Sequence, residues 1–119
     1  MGKLVVSITH AKDDADKATV GMVVANAGLV SGQETIVFFS TEGARLGEQG
    51  YADDIHEEGF KPLKELIDAF AENGGTFWVC TPCYKKRGLP EDKLIPKATL
   101  VGGAKLVEAL SQGAACVTY

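Results

Sequence analysis

The feature that most constrains this chain is a series of short, continuous apolar runs separated by stretches of helical periodicity. Leu4-Val5-Val6-Ser7-Ile8, Thr35-Ile36-Val37-Phe38-Phe39 and Thr76-Phe77-Trp78-Val79-Cys80 are apolar and β-rich without alternation. That is the pattern of strands covered on both faces. After the first run, Asp13 or Asp14 can cap a helix that reaches about Asn26. Along it Ala15, Ala18, Thr19, Met22, Val23 and Asn26 recur at spacings of three and four. Gly28 and Gly32 are expected to punctuate its end. Pro62 suits the first turn of a second helix with the apolar face Leu63, Leu66, Ile67 and Phe70, stopped by Asn73-Gly74-Gly75.

The remainder of the chain continues the pattern. Pro82 cannot continue a central strand but is welcome at a helix start, so a short helix should follow Cys80 and break at Gly88 and Pro90. Leu94-Ile95 is a weak strand candidate cut by Pro96. Thr99-Leu100-Val101 leads through Gly102-Gly103 into a helix expected to turn Leu106, Val107 and Leu110 inward. Ala115-Cys116-Val117-Thr118 reads as a terminal strand. Residues 43–59 are polar and glycine-rich and predict a loop with little regular structure.

Strand and helix in strict alternation predict an α/β fold of three layers, doubly wound, with a mostly parallel five-stranded sheet and helices on both faces. The expected strands are Leu4–Ile8, Thr35–Phe39, Thr76–Val79, a short one near Leu94–Val101, and Ala115–Thr118. A length of 119 residues, 45% of them hydrophobic and 24% charged, suits one globular domain spanning 1–119.

Several function classes are disfavoured. The net charge of −4 argues against a nucleic-acid protein, which needs clustered Lys and Arg; the one basic cluster is Lys85-Lys86-Arg87. No apolar run approaches the ~20 residues of a membrane span, and the N-terminal run is too short for a secretory signal. Three cysteines, an odd number, suggest a reducing cytoplasm and thiols rather than a disulfide framework. The glycines form neither G-x-G-x-x-G nor a Walker pattern, so no cofactor is implied. Zinc normally takes four ligands, and no second Cys pair accompanies Cys80 and Cys83, so no metal site is expected.

In parallel sheets, functional groups gather beyond the carboxyl ends of the strands. Three segments lie there: Thr9-His10-Ala11, Ser40-Thr41-Glu42-Gly43, and Cys80-Thr81-Pro82-Cys83-Tyr84. Cys80 is placed where a strand ends and a helix begins, a setting that favours thiolate over thiol. Pro82 contributes no N–H, so the donors expected for a Cys80 thiolate are the amides of Cys83 and Tyr84. With the basic run behind them, these should hold Cys80 below the free-thiol pKa of about 8.5. The Cys-x-x-Cys spacing suits a dithiol redox pair or a persulfide carrier with a resolving thiol, and equally two small buried hydrophobes. Cys116, between Ala115 and Val117, reads as inert core. His10 is a candidate acid or base; Glu42 with Gly43 can orient a ligand or simply begin a turn.

Taken in order, Thr9-His10 with Asp13-Asp14, Val37-Phe38-Phe39-Ser40-Thr41-Glu42-Gly43-Ala44, Val79-Cys80-Thr81-Pro82-Cys83 running on to Lys86-Arg87-Gly88-Leu89, and Val101-Gly102-Gly103-Ala104 make a recognisable series. In that order and spacing the chain resembles the DsrE/DsrF-like family of small sulfur-relay proteins over nearly its whole length. The resemblance implies a homo-oligomer, often a trimer or hexamer, with sulfur-donor and sulfur-acceptor proteins as partners. It also implies that Cys80, with Arg87 and Gly88 behind it, accepts persulfide sulfur. Cys83 departs from the family pattern, which commonly has a small apolar residue there. His10, Thr41, Glu42, Gly43, Thr81, Tyr84 and Arg87 are the residues expected around a ligand. The leading reading is a thiol-based sulfur carrier or sulfurtransferase; the rivals are a non-enzymatic binding module and a dithiol redox protein.

Overall fold

The computed structural model describes residues 2–119. Five strands, β1 (Lys3–Ile8), β2 (Glu34–Phe39), β3 (Thr76–Cys80), β4 (Ala98–Val101) and β5 (Ala115–Thr118), form one sheet in the order β4-β3-β2-β1-β5. Every pairing is parallel. The doubly wound α/β expectation therefore holds, with strand limits shifted by a residue or so. The fourth strand is the exception: it begins only at Ala98, and Leu94 makes an isolated antiparallel bridge with Glu48.

Helices α1 (Ala15–Val30) and α2 (Leu63–Glu72) cover one face of the sheet, and α4 (Gly103–Ser111) lies on the other. Asp14 caps α1 by accepting from the Lys17 amide at 3.1 Å. The helix passes Asn26 and Gly28 and ends only at Val30. Gly28 is thus no terminator: a Cβ there would meet Thr35 Oγ1 at 2.6 Å and Leu4 at 2.9 Å, so the missing side chain lets α1 lie close on the sheet. The break falls instead at Gly32, with φ of +82°.

Under α1 and α2 the core is dense. Phe39 stacks on Phe77 at 5.4 Å between ring centroids, and Phe70 of α2 tilts onto Phe77 at 5.1 Å. Val6, Ile8, Val37, Val79, Met22, Leu63 and Ile67 complete it. The segment predicted as a bare loop is two 3-10 stretches, Thr41–Gly47 and Tyr51–Asp54. It buries Ala44, Leu46, Ala52 and Ile55, with Tyr51 and Phe60 half-buried. Its apolar residues are therefore covered wholly or in part within the domain.

The second face is thin because of topology. The chain must travel from β4 at one edge to β5 at the other, and α4 is the only helix on that crossing. Val5 and Phe38 are buried beneath Ala109, while Trp78, Cys80, Val101 and Leu106 are only partly covered. Leu106 points inward as expected, but Val107 is 63% exposed and Leu110 38% exposed. Cys116 is exposed, not core, because β5 is an edge strand whose four residues all face solvent. No helix among the described residues is long and apolar enough to cross a membrane.

Candidate functional site

Cys80 closes β3 and serves as N-cap of α3 (Thr81–Lys86), a single short turn with Pro82 near its start. Strand alternation turns Phe77 and Val79 into the main core and Trp78 and Cys80 toward the α4 face. Cys83 and the fully buried Tyr84 pack on the opposite side, with the main core. The chain thus leaves β3 toward one face and β4 toward the other, so the carboxyl ends of these two strands lie where the connections diverge. Cys80 is the register partner of Val101, and the Thr81 hydroxyl donates to the Val101 carbonyl at 2.9 Å, tying the start of α3 to the end of β4.

Burial pushes the Cys80 thiol up, and the neighbouring Cys83 thiol adds to the rise. The Cys83 amide and the Arg87 charge oppose this without prevailing. The expectation of a depressed Cys80 pKa is therefore reversed. The strand end packs among Trp78, Val101 and Leu106, and α3 is too short, and too poor in N–H donors beside Pro82, to offset that apolar setting. The basic run also contributes less than its composition suggests: Lys85 is exposed and reaches toward Glu91 at 3.9 Å, leaving Arg87 as the cation acting on the thiol.

Arg87 is bound in place. Its Nε donates to Glu42 Oε1 at 2.9 Å and its Nη1 to the Cys83 carbonyl at 3.1 Å. Arg45 Nε donates to the other oxygen, Glu42 Oε2, at 2.7 Å. The hydrogen bond from Arg87, with Arg45 beside it, holds the Glu42 carboxyl below its ordinary value.

Glu42, Cys80, Cys83 and Arg87 are thus brought together as one group. His10 is not part of it. Its Nδ1 pairs with Asp13 Oδ2 at 2.6 Å at the end of β1, and β2 stands between that strand and β3. Tyr84 is buried and its hydroxyl donates to the Pro90 carbonyl at 2.6 Å, so it anchors the segment after α3 and offers no open face to a ligand. Thr41 and Gly43 shape the turn that carries Glu42: Thr41 Oγ1 lies 2.7 Å from the Thr9 carbonyl, and the Gly43 amide donates to the same oxygen at 3.1 Å. Arg45 escaped the sequence reading because it lies in the stretch taken for a loop. Its i+3 spacing from Glu42 was the signal available.

A separate cleft of about 360 Å³ lies between α2 and the segment before β4, lined by Leu46, Ala52, Ile67, Ile95 and Pro96 with Glu48, Gln49, Asp53, Lys64 and Asp68. It shares no residue with the cysteine group, and none of its polar side chains is buried.

The fold and the strand-end cysteine pair define a class of α/β proteins with a thiol at the carboxyl edge of a parallel sheet. The chain belongs to the DsrE/DsrF-like family, which matches residues 2–119. An uncharacterised protein of Methanopyrus kandleri is 30% identical over 92 residues, covering 77% of this chain and 73% of that one. An uncharacterised protein of Methanocaldococcus jannaschii is 27% identical over 117 residues, covering 98% of this chain and 99% of its own. A second protein of that organism is 24% identical over 110 residues, and the match takes in only 40% of its length. The fold is shared with the crystal structure of the ychN protein from E. coli and with a protein of unknown function from Methanobacterium thermoautotrophicum. Each has a TM-score of 0.73 at 14% identity, with both chains fully covered.

Proposed function

We propose that this protein is a thiol-based sulfur carrier that takes persulfide sulfur onto Cys80 from a donor protein and yields it to an acceptor. The observation that carries this reading is the grouping of Cys80, Cys83 and Arg87 at the carboxyl end of β3, where both thiols are half-buried and Cys80 lies toward the thinly covered face of the sheet. A carrier thiol needs this combination: enough cover to protect a bound sulfur, and an approach left open to a second protein. The resemblance of the Cys80 to Gly88 segment to sulfur-relay proteins supports taking Cys80 as the accepting thiol.

In the loading step the Cys80 thiolate attacks the outer sulfur of a donor persulfide. The new S–S bond leaves Cys80 as a persulfide, and the donor departs as its thiolate. In the absence of an acceptor, the Cys83 thiolate attacks the Cys80 sulfur. That step forms the Cys80–Cys83 disulfide and releases hydrosulfide, which takes up the available proton. The added thiol is therefore a discharge route as well as a guard, and an external thiol is needed to reset the disulfide.

The raised Cys80 pKa is compatible with this chemistry, since a more basic thiolate is intrinsically the better nucleophile although less of it is present. Val107 and Leu110, exposed on α4, support a homo-oligomer whose subunits meet across that helix.

Intact mass after incubation with a persulfide donor tests the reading. Cys83→Ser gains and keeps one sulfur atom, Cys80→Ser gains none, and the wild type gains sulfur and then sheds it, ending two hydrogens lighter as the Cys80–Cys83 disulfide closes. If Cys80→Ser loads as well as wild type, the carrier reading fails and a non-enzymatic binding module takes its place.

A further inference from the structure

The turn after β2 holds a residue in an unfavourable conformation. Thr41 has φ of +51°, in the left-handed region that β-branched residues avoid. Two amide hydrogen bonds and one from the Thr41 hydroxyl over-determine the turn. The Ser40 amide donates to the Ile8 carbonyl at 3.1 Å and the Gly43 amide to the Thr9 carbonyl at 3.1 Å. The Thr41 hydroxyl lies 2.7 Å from both the Thr9 and the Ser40 carbonyl. Strain held this firmly is informative about what it positions.

It positions Glu42. Each oxygen of that carboxylate holds one arginine, Oε1 the Nε of Arg87 and Oε2 the Nε of Arg45, so the carboxylate cannot rotate without breaking a charge-assisted bond. Arg87 in turn is only 18% exposed and is tied through Nη1 to the carbonyl of Cys83. We infer that Glu42 is a positioning residue for the cysteine site: fixed by the strained Thr41 turn, it holds the Arg87 guanidinium where it stabilises a Cys80 thiolate. This rests on the reading of Cys80 as the reacting thiol. The charged and titratable groups around that thiol are Cys83 and Arg87 beside it, Glu42 and Arg45 behind Arg87, and Lys105 of α4, which lies over the Trp78 ring at 5.8 Å.

The test has a sign that separates positioning from bare charge. In a protein carrying Cys83→Ser and Cys116→Ser, Cys80 is the sole thiol. Its titration midpoint is then read from the pH dependence of alkylation by iodoacetamide, with circular dichroism to confirm the fold. Arg87→Met is expected to raise the midpoint and slow alkylation at pH 7 on the order of three- to tenfold. Glu42→Ala removes an anion near the thiol, so charge alone would lower the midpoint; positioning raises it toward the Arg87→Met value. Glu42→Gln, which keeps an oxygen acceptor for Arg87, is expected to stay near or below the parent. Adding Glu42→Ala to Arg87→Met leaves only the charge effect, so it should give no further rise in the midpoint. A midpoint that falls or stays put in Glu42→Ala overturns the inference, as does a Glu42→Gln midpoint as high as that of Glu42→Ala. Should Glu42→Ala not fold, Arg87→Lys, which keeps the charge but loses the Nε–H, is expected to raise the midpoint, and an unmoved one overturns the inference. Because alkylation needs no sulfur transfer, failure of Cys80 to load sulfur would sink the carrier reading and leave this result standing.

Discussion

Gly43 lies directly against the backbone of Ile8. A Cβ built on it would overlap the Ile8 carbonyl oxygen and come within 2.9 Å of its carbon. Both partners are backbone, and Ile8 is the fully buried end of a central strand, so neither can move aside. Gly43→Ala is therefore expected to destabilise the domain by about 1–3 kcal/mol, read as a lower urea midpoint at unchanged slope. It should also pull Glu42 away from Arg87 and shift Cys80 alkylation in the same direction as Glu42→Ala.

The Cys83 side chain is expected to hold back ionisation of Cys80. The Cys83 thiol contributes to the raised Cys80 value, whereas the Cys83 amide, which opposes it, is unaffected by a side-chain change. Cys83→Ser should consequently lower the Cys80 midpoint relative to wild type, and the pH–rate profile of alkylation, resolved by peptide mass, measures it. A midpoint that rises would mean that Cys83 assists the Cys80 thiolate.

The arginine clamp sets an acid limit. The Glu42 carboxyl is held below its ordinary value of 4.5, chiefly by Arg87, so the folded state binds its proton less readily than the unfolded state. Its contribution to stability is full above about pH 5 and is lost as the pH falls through the lowered folded value. Glu42→Gln should accordingly narrow the stability difference between pH 6 and pH 3, as followed by thermal melts across that range.

Thr19 gives the opposite kind of prediction. Its hydroxyl is fully buried in α1 and has no hydrogen-bond partner among the described residues. Thr19→Val keeps the branched shape and removes the unpaired oxygen, so it should stabilise the protein by about 1 kcal/mol, a gain of a few °C in Tm. Unchanged or reduced stability would show that the hydroxyl finds a partner in solution.

Assembly is open to a direct measurement. Light scattering is expected to give a mass that is a multiple of the 12.6 kDa chain. Val107→Asp, on the exposed side of α4, should reduce it toward one copy. A monomeric wild type at micromolar concentration would remove the homo-oligomer from the proposal.

The parts of the fold legible in the sequence were those where one physical signal decides. Val5-Val6 and Val37-Phe38-Phe39 are apolar on both faces because both faces are covered, and Asp14 announces α1 by its cap. What was misread depends on long-range geometry. Gly28 reads as a stop, and only the approach of Thr35 and Leu4 shows that it is a packing contact. Leu110 and Cys116 have core composition, but the route from β4 to β5 leaves their face under a single helix. Within the site, Cys80 and Arg87 were visible as a spacing. The bond from Arg87 to Glu42 spans 45 positions, and no local pattern encodes it.

The placement of β5 has a kinetic consequence. It pairs with β1, so this edge of the sheet closes only when the two ends of the chain meet, across the longest loop the fold contains. Its four residues are all exposed, so little apolar burial reinforces its backbone bonds. Detachment of β5 is therefore the lowest opening available to the sheet, with amide protection weakest at Ala115–Thr118 and strongest in β2. In the same excursions Ser7, next to the buried Val6, loses its neighbour Thr118 and gains access to water. The stability of the central strand is thus set partly by how often its last-arriving partner lets go.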